Sequence, residues 1–445
     1  MGIYRKIFKI ALPIAFQQFL FTSVNFVDTV MIGKLGEIPI AAVGLSNQFF
    51  FLYNLVLFGL VSGGAIFFAQ FWGKKDEDGL ARASALTVIS ALGFSFVFFG
   101  LSFFAPQFVM RFYSPDPEVI SSGISYLKIV AFSYPVFAIT MVFSFALRSV
   151  EKAIIPMYTS IVELSANVFF NYVLIFGKLG FPRLEVIGAA WGTLIARIIG
   201  LTSLLIIIEI RRLPGRFNIS HVRKINKNFI KRYFHYTLPT VGNEFAWSFG
   251  MTMYSVVYAH MSTQVIAARN IMGTIEGFAF SFTFSVASAA SVIVGNILGA
   301  SQYEKAYEIS KKILKLAELV AVIAGTITVI VTLYAVNLFD VSNDIKNLVR
   351  ITMTISMGFI PIKVFNGVNI VGFLRAGGDT RFSFALEAST LWLLGVPLAV
   401  LSGLVLKLNF PLVYLFTMSD ELTKAAILLW RYKSKKWIKN VVEGI

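Results

Sequence analysis

At 445 residues the chain is long enough for a large core, yet 57% of it is apolar and only 14% is charged, a balance far from that of a soluble domain. The net charge of +16 raises the question of nucleic acid, but the bases fall on alternate loops between long apolar runs, which argues for a membrane topology and against a nucleic-acid partner. There is no cysteine, and the three histidines (His221, His235 and His260) are scattered, so a disulfide framework, a thiolate metal site and a zinc cluster are excluded.

A hydrocarbon core of roughly 30 Å takes about 20 helical residues to cross. Apolar runs of that length lie at 8–32, 44–71, 85–110, 126–147, 154–176 and 187–209 in the first half of the chain. In the second half they lie at 234–259, 266–297, 316–338, 348–373, 383–406 and 411–430. The runs are continuous and not alternating, so helices, not barrel strands, satisfy the backbone. The expected fold class is an all-α polytopic membrane protein with twelve transmembrane helices. The first run follows Arg5, Lys6 and Lys9; it is too long for a signal peptide and no small-residue cleavage site follows it, so it is expected to remain as span one.

The two halves align at a shift of 226 residues. Leu12-Pro13 falls on Leu238-Pro239, Ala41-Ala42 on Ala267-Ala268, Gly73 on Gly299 and, after one extra residue, Leu147-Arg148 on Leu374-Arg375. Ordered matches at the same places in the hydropathy pattern mark a duplication. Two pseudo-symmetric six-helix lobes are therefore expected at 1–210 and 233–432, with a polar cytoplasmic linker at 211–232 and a basic tail at 433–445. An even number of spans per half gives both halves the same orientation, with a pseudo-twofold axis along the membrane normal and a cleft between the lobes. Arg5 to Lys9, Lys74 to Arg82, Arg148 and Lys152, the linker, Lys305 to Lys315, Arg375 and Arg381, and the tail all fall on one side. That pattern places both termini in the cytoplasm, the protein in the inner membrane, and anionic lipid headgroups against the basic loops.

A charge near the bilayer centre costs at least roughly 2.5–3.5 kcal/mol, so polar residues inside the spans carry the functional signal. In span one Gln17, Gln18, Asn25 and Asp28 share one wedge of the helical wheel. In span five Glu163, Asn167 and Asn171 recur every fourth residue, as one stripe. Amides in such positions commonly bond helix to helix, whereas Asp28 is expected to be functional. A carboxylate with amide and hydroxyl oxygens suits Na⁺, and an isolated buried carboxylate suits a proton. The second half offers Glu244, Glu276, Lys363, Asn366 and Glu387. Lys363 is expected to neutralise Glu244 or Glu276, as a structural pair or as part of an alternative coupling site. Asp420, Glu421 and Lys424 lie in the last span, where an interfacial position is open to some of them, and Arg269 is expected at the interface. No GxxxxGK[ST] motif occurs, so uphill transport would draw on an ion gradient and not on ATP. Most of the 45 phenylalanines are expected to face lipid or pack helices. Gln18, Asn25 and Tyr134 are the candidates for a substrate cavity, where aromatic faces attract organic cations. Pro13, Pro239 and Pro361 are candidate bend points.

Three segments resemble the multidrug and toxic compound extrusion family: VDTVMIGKLG with AAVG after span one, NYVLIFGKLGFPRLEVIGAAWGT through spans five and six, and FLRAGGDTRF after span ten. GNILGA at 295–300 and the closing RYKSKKW agree, and the resemblance runs from about residue 5 to the end. It implies a twelve-helix secondary antiporter, active as a monomer and without a cofactor, that exports small organic compounds, often cationic and aromatic, against Na⁺ or H⁺. The family's first-span acid falls on Asp28, the Asn-x-x-x-Asp motif of one branch on Asn167 and Asn171, and a sixth-span threonine on Thr193. The sequence departs from that branch at Asn171, where an acid is expected, and Glu163 is the candidate substitute. In the other branch span seven supplies a glutamate and span ten an aspartate; here Glu244 lies nearer the span-seven proline, and span ten shows Asn366. The function expected is efflux antiport by alternating access. A flippase for lipid-linked cell-wall or polysaccharide precursors is the related alternative and a passive ion channel the remote one; nothing in the residues supports an enzyme.

Overall fold

The computed structural model describes residues 2–339 and 341–445, and these form helices joined by turns and short loops. They divide into two compact units, one of Phe16–Phe234 with Ile445 and the other of Met1–Ala15 with His235–Gly444. The N-terminal half of the chain carries α1 (Ile3–Gly33), α2 (Glu37–Lys74), α3 (Glu77–Phe104), α4 (Pro106–Tyr113), α5 (Pro117–Val130), α6 (Ser133–Ser149), α7 (Ile154–Phe176), α8 (Glu185–Ile210) and α9 (Ile219–Arg223). The C-terminal half carries α10 (Lys227–Met261), α11 (Thr263–Gly299), α12 (Tyr303–Ala335), α13 (Asn343–Gly358), α14 (Ile360–Gly367), α15 (Thr380–Thr390), α16 (Val396–Val400) and α17 (Phe410–Lys433). Wider π-helical turns at Val368–Leu374, Leu391–Gly395 and Leu401–Val405 continue α14, α15 and α16.

All twelve expected runs are helical. Among the described residues, eight helices are individually long and apolar enough to cross a bilayer, and two bent pairs bring the number to ten. The remaining two, α10 and α17, are 35 and 24 residues long but carry more polar and charged residues. The bends echo the duplication. Pro117–Val130 and Ser133–Ser149 meet at 50°, and Asn343–Gly358 and Ile360–Leu374 at 49°, in the fourth span of each half. Of the three prolines expected to bend helices, Pro361 follows the second break, whereas Pro13 and Pro239 sit inside continuous helices.

Local chemistry sets the boundaries. Asp76 accepts from the Gly79 amide at 2.7 Å to begin α3, Asp116 from the Glu118 amide at 2.9 Å to begin α5, and Asn409 from the Leu412 amide at 3.1 Å to begin α17, each satisfying an amide that the first turn leaves open. The third run ends at Phe104 and not at 110, because Pro106 cannot continue the ladder and instead opens the short helix α4.

Two segments expected as polar connectors are pinned. Within the linker, Asn218 and His221 form a capping box on α9, and Lys224 reaches Asp78 at 2.8 Å. In the tail, the fully buried Trp437 stacks on Phe373 and Tyr432 with centroids 5.6 and 6.0 Å away. Arg431 and Lys439 hold Asp379 at 2.7 and 3.3 Å. A Cβ at Gly377 would stand 1.7 Å from the Trp437 carbonyl oxygen, so the first glycine of the RAGG segment is what lets the tail dock.

Candidate functional site

The N-terminal site rests on the close approach of α7 and α8. Small residues recur every fourth position along α8 at Gly188, Gly192, Ala196 and Gly200, the pattern that lets helices meet in a membrane. A Cβ at Gly188 would lie 2.5 Å from the Leu174 carbonyl oxygen, one at Gly192 2.0 Å from Asn171 Oδ1, and one at Gly200 2.8 Å from Glu163 Oε2. The last two glycines thus make the room that the polar stripe of α7 occupies.

Asn171 Nδ2 donates to Asp28 Oδ1 at 2.6 Å and to Asn167 Oδ1 at 3.3 Å. Span one and the span-five stripe are thereby joined. Asn167 and Asn171 are buried, and Asn171 Oδ1 has no hydrogen-bond partner. Tyr126, buried in α5, lies beside Thr193 and within the field of Asp28. Glu163 sits two turns along α7 from Asn171, against Gly200. Gln17 is a brace: it donates to Ser160 Oγ at 2.9 Å and accepts from Arg148. Gln18 is half-buried and Asn25 exposed. Tyr134 is wholly buried, stacked on Tyr53 with centroids 4.9 Å apart, and its carbonyl accepts from the Tyr53 hydroxyl at 2.7 Å.

Sequence reasoning missed Arg197, in the middle of α8. Its Nη1 donates to Ser133 Oγ at 2.7 Å, and its guanidinium lies 4.3 Å from the Phe50 ring centroid and 5.0 Å from that of Phe137. Its charge acts on both Asp28 and Glu163, yet among the described residues it forms an ion pair with neither.

In the C-terminal unit, apart from the Asp379 group of the tail, three groups gather the charged residues singled out in the spans. Glu244 is bonded to Arg375, not to Lys363. Glu276 pairs with Arg269 at 3.0 Å and accepts from Ser356; Lys363 reaches that group through Ser356 Oγ at 3.0 Å and Tyr414 OH at 3.1 Å. Among the described residues Lys363 therefore shares hydroxyl partners with Glu276 and forms no ion pair with it, and Arg269, expected at the interface, is the direct partner. The third group centres on Lys424, with Glu387 at 2.9 Å, Glu421 at 3.2 Å and Asp420 at 3.9 Å. Asn366 donates to Glu421 Oε2 at 2.6 Å. Asp420 and Lys424, for which an interfacial position was left open, are both buried within the protein.

Arg148 and Arg375, counted above among the loop bases, are buried as well. They are equivalent under the internal alignment, and each ties the fourth span of its half to the first: Arg148 to Gln17, and Arg375 to Glu244. The duplicated Leu-Arg pair is therefore a repeated internal tie. Only the spacing of that repeat signalled it.

The MatE family model matches this chain twice, over residues 13–173 and again over 239–401, beginning each time at the proline that the internal alignment pairs. The chain belongs to the MatE family. Members are transporters and not enzymes, and this chain is a multi-pass membrane transporter of that fold. It is 24% identical over 435 residues to the uncharacterized transporter YisQ of Bacillus subtilis, covering 98% of this chain and 95% of that one. It is 23% identical over 448 residues to the probable multidrug resistance protein NorM of Thermotoga maritima, covering 99% and 94%. Among solved structures, a MATE protein crystallised in complex with MaL6 superposes with a TM-score of 0.88 at 18% identity over 98% of each chain. An outward-facing multidrug resistance MATE transporter superposes with a TM-score of 0.86 at 18% identity, covering 98% of this chain and 97% of that one. At such identities the superpositions speak for the fold alone.

Proposed function

We propose that this MATE transporter is an efflux antiporter, exporting small organic compounds, often cationic and aromatic, in exchange for Na⁺ or H⁺ bound at Asp28. The observation that carries this reading is the buried Asn171 Oδ1, which lacks a hydrogen-bond partner in the group built on Asp28 and Asn167. A buried acceptor left open calls for a cation or a water, and a carboxylate with amide and hydroxyl oxygens is the donor set of a hard cation. Asp28, Asn167, Asn171 and Thr193 are proposed to hold the ion, with Glu163 as the second carboxylate of the unit. The names of the NorM relatives and the aromatic surroundings of Arg197 support organic substrates. The division of labour proposed is the one expected from the sequence: lobes at 1–210 and 233–432, the linker 211–232 and the tail 433–445, with both termini cytoplasmic in the inner membrane. Alternating exposure of the ion and substrate sites couples the two fluxes.

The test is transport of a fluorescent organic cation in proteoliposomes under imposed Na⁺ or H⁺ gradients. A unit charge at about 4 Å contributes roughly 4 kcal/mol near a protein surface, so Asp28→Asn is expected to weaken ion binding by at least about 100-fold and to abolish gradient-driven efflux. Efflux that survives would move coupling to the C-terminal unit. A second variant probes the geometry without touching a charge. In Gly192→Ala the new methyl group meets Asn171 Oδ1, the amide rotates off Asp28, and gradient-driven transport should fall by about 10- to 100-fold, the loss of one charge-assisted hydrogen bond of roughly 1.5–3 kcal/mol. Wild-type rates in this variant would show that the Asn171–Asp28 bond is dispensable.

A further inference from the structure

Arg197 holds an unusual position for a cation inside a membrane lobe. Two carboxylates of its own unit are within its electrostatic reach, yet it lies against Phe50 and Phe137 and is anchored by the Ser133 hydroxyl at 2.7 Å. The glycines of α8 serve as a ruler for where it is anchored. Gly192 abuts Asn171, the residue that holds Asp28, and Gly200 abuts Glu163. At 1.5 Å of rise per residue, Arg197 is attached about 7.5 Å along the axis from the first and about 4.5 Å from the second. Its long side chain therefore springs from a point between the levels of the two acids. A guanidinium on aromatic faces gains about 0.5–2 kcal/mol, and an ion pair in the same surroundings offers an alternative of comparable size, so the two seats compete.

We propose that Arg197 is a tethered competitor cation. It occupies the Phe50–Phe137 aromatic pair while an ion holds Asp28, and crosses to the Asp28 and Glu163 carboxylates when the cationic group of a substrate takes that pair. The inference rests on the reading of Asp28 as the coupling carboxylate and adds what that reading lacks, a physical link that makes substrate and ion exclude each other. The aromatic seat takes a delocalised or quaternary cation, for which the guanidinium is the built-in stand-in. No covalent step and no further component is required.

The test is equilibrium binding of tetraphenylphosphonium to the full-length protein in nanodiscs, titrated with Na⁺ at fixed pH and with H⁺ at fixed Na⁺. In the wild type, probe and ion should displace each other. In Arg197→Gln the probe should bind about tenfold more tightly, matching the loss of a competing cation–π contact, and its affinity should no longer depend on the ion. Arg197→Lys, which keeps the charge, should restore the competition. Should Arg197→Gln fail to fold, Phe50→Leu carries the same test with the opposite sign: weakening the aromatic seat sends Arg197 to the carboxylates and reduces ion binding about tenfold. Probe binding in Arg197→Gln that still responds to the ion as in the wild type would overturn the proposal, as would unchanged ion binding in Phe50→Leu. Failure of the underlying reading looks different, because ion-driven transport would then survive Asp28→Asn. Failure of the Arg197 inference alone leaves Asp28→Asn inactive and Arg197→Gln fully coupled.

Discussion

Arg375→Ala is expected to lower stability by about 3–5 kcal/mol, because it strands the carboxylate of Glu244 inside the C-terminal unit. Arg375 is 2% exposed and is the ion-pair partner of Glu244. Removing the base leaves a buried charge uncompensated, which costs far more than the pair itself contributes. The equivalent substitution in the other half, Arg148→Ala, provides the internal comparison. Its partner Gln17 is neutral and keeps its bond to Ser160 at 2.9 Å, so no carboxylate is stranded: the loss is a hydrogen bond to a charged group, roughly 1.5–3 kcal/mol, and the contact of the guanidinium with the Phe145 ring at 4.8 Å. Thermal unfolding of the two variants in the same detergent should rank Arg375→Ala as the more damaging, and equal losses would contradict the assignment. The double variant Glu244→Leu with Arg375→Met should recover most of the stability, since apolar residues of similar volume often replace a buried pair without penalty. If that protein is stable but uncoupled, Glu244 takes part in transport as well as in holding α10.

The Arg375 tie also shows where the sequence is legible and where it is not. Span number and helical class follow from the length of each apolar run, which is a property of consecutive residues. The stripe Glu163, Asn167 and Asn171 is readable because a four-residue spacing fixes one helix face, and the wedge on span one points Asp28 toward a partner in the same way. Partner choice is different, because it depends on how each helix is rotated about its axis in the packed unit. Lys363 therefore looked like the base for Glu244 or Glu276, although Arg375 and Arg269 are nearer. Arg148 and Arg375 read as loop bases because they close apolar runs just before loops that carry Lys152 and Arg381. Arg197 was hidden for the opposite reason: in GTLIARIIG it is one base among apolar residues, and neither a loop-by-loop count of charges nor a stripe of polar residues brings it out. The stop at Phe104 was legible in principle, since Pro106 stands inside the run placed at 85–110 and hydropathy alone read through it.

The second large effect is expected at Lys424, where one base serves three acids. Glu387 at 2.9 Å and Glu421 at 3.2 Å are within hydrogen-bond distance of Nζ, whereas Asp420 at 3.9 Å is not. Glu421 has a second donor in Asn366 at 2.6 Å, so it depends on the lysine less than Glu387 does. Lys424→Met removes the one positive charge that, among the described residues, pairs with these acids, and leaves three carboxylates in one place. A loss of at least about 3–5 kcal/mol follows from breaking such a pair, with the mutual repulsion of the acids added. Glu387→Gln should cost less, because the lysine keeps Glu421 and the amide still accepts a hydrogen bond from Nζ. Asp420→Asn should stay within about 1 kcal/mol of the wild type, since it relieves a surplus negative charge whose attraction to Nζ at that distance is the weakest of the three. Unfolding midpoints of the three variants, measured side by side, should fall in that order. An Asp420→Asn protein as unstable as Lys424→Met would mean that Asp420, and not Glu387, is the acid that the lysine holds in place. The ranking rests on the geometry around Lys424, where α14, α15 and α17 meet, so it stands or falls independently of which ion binds at Asp28.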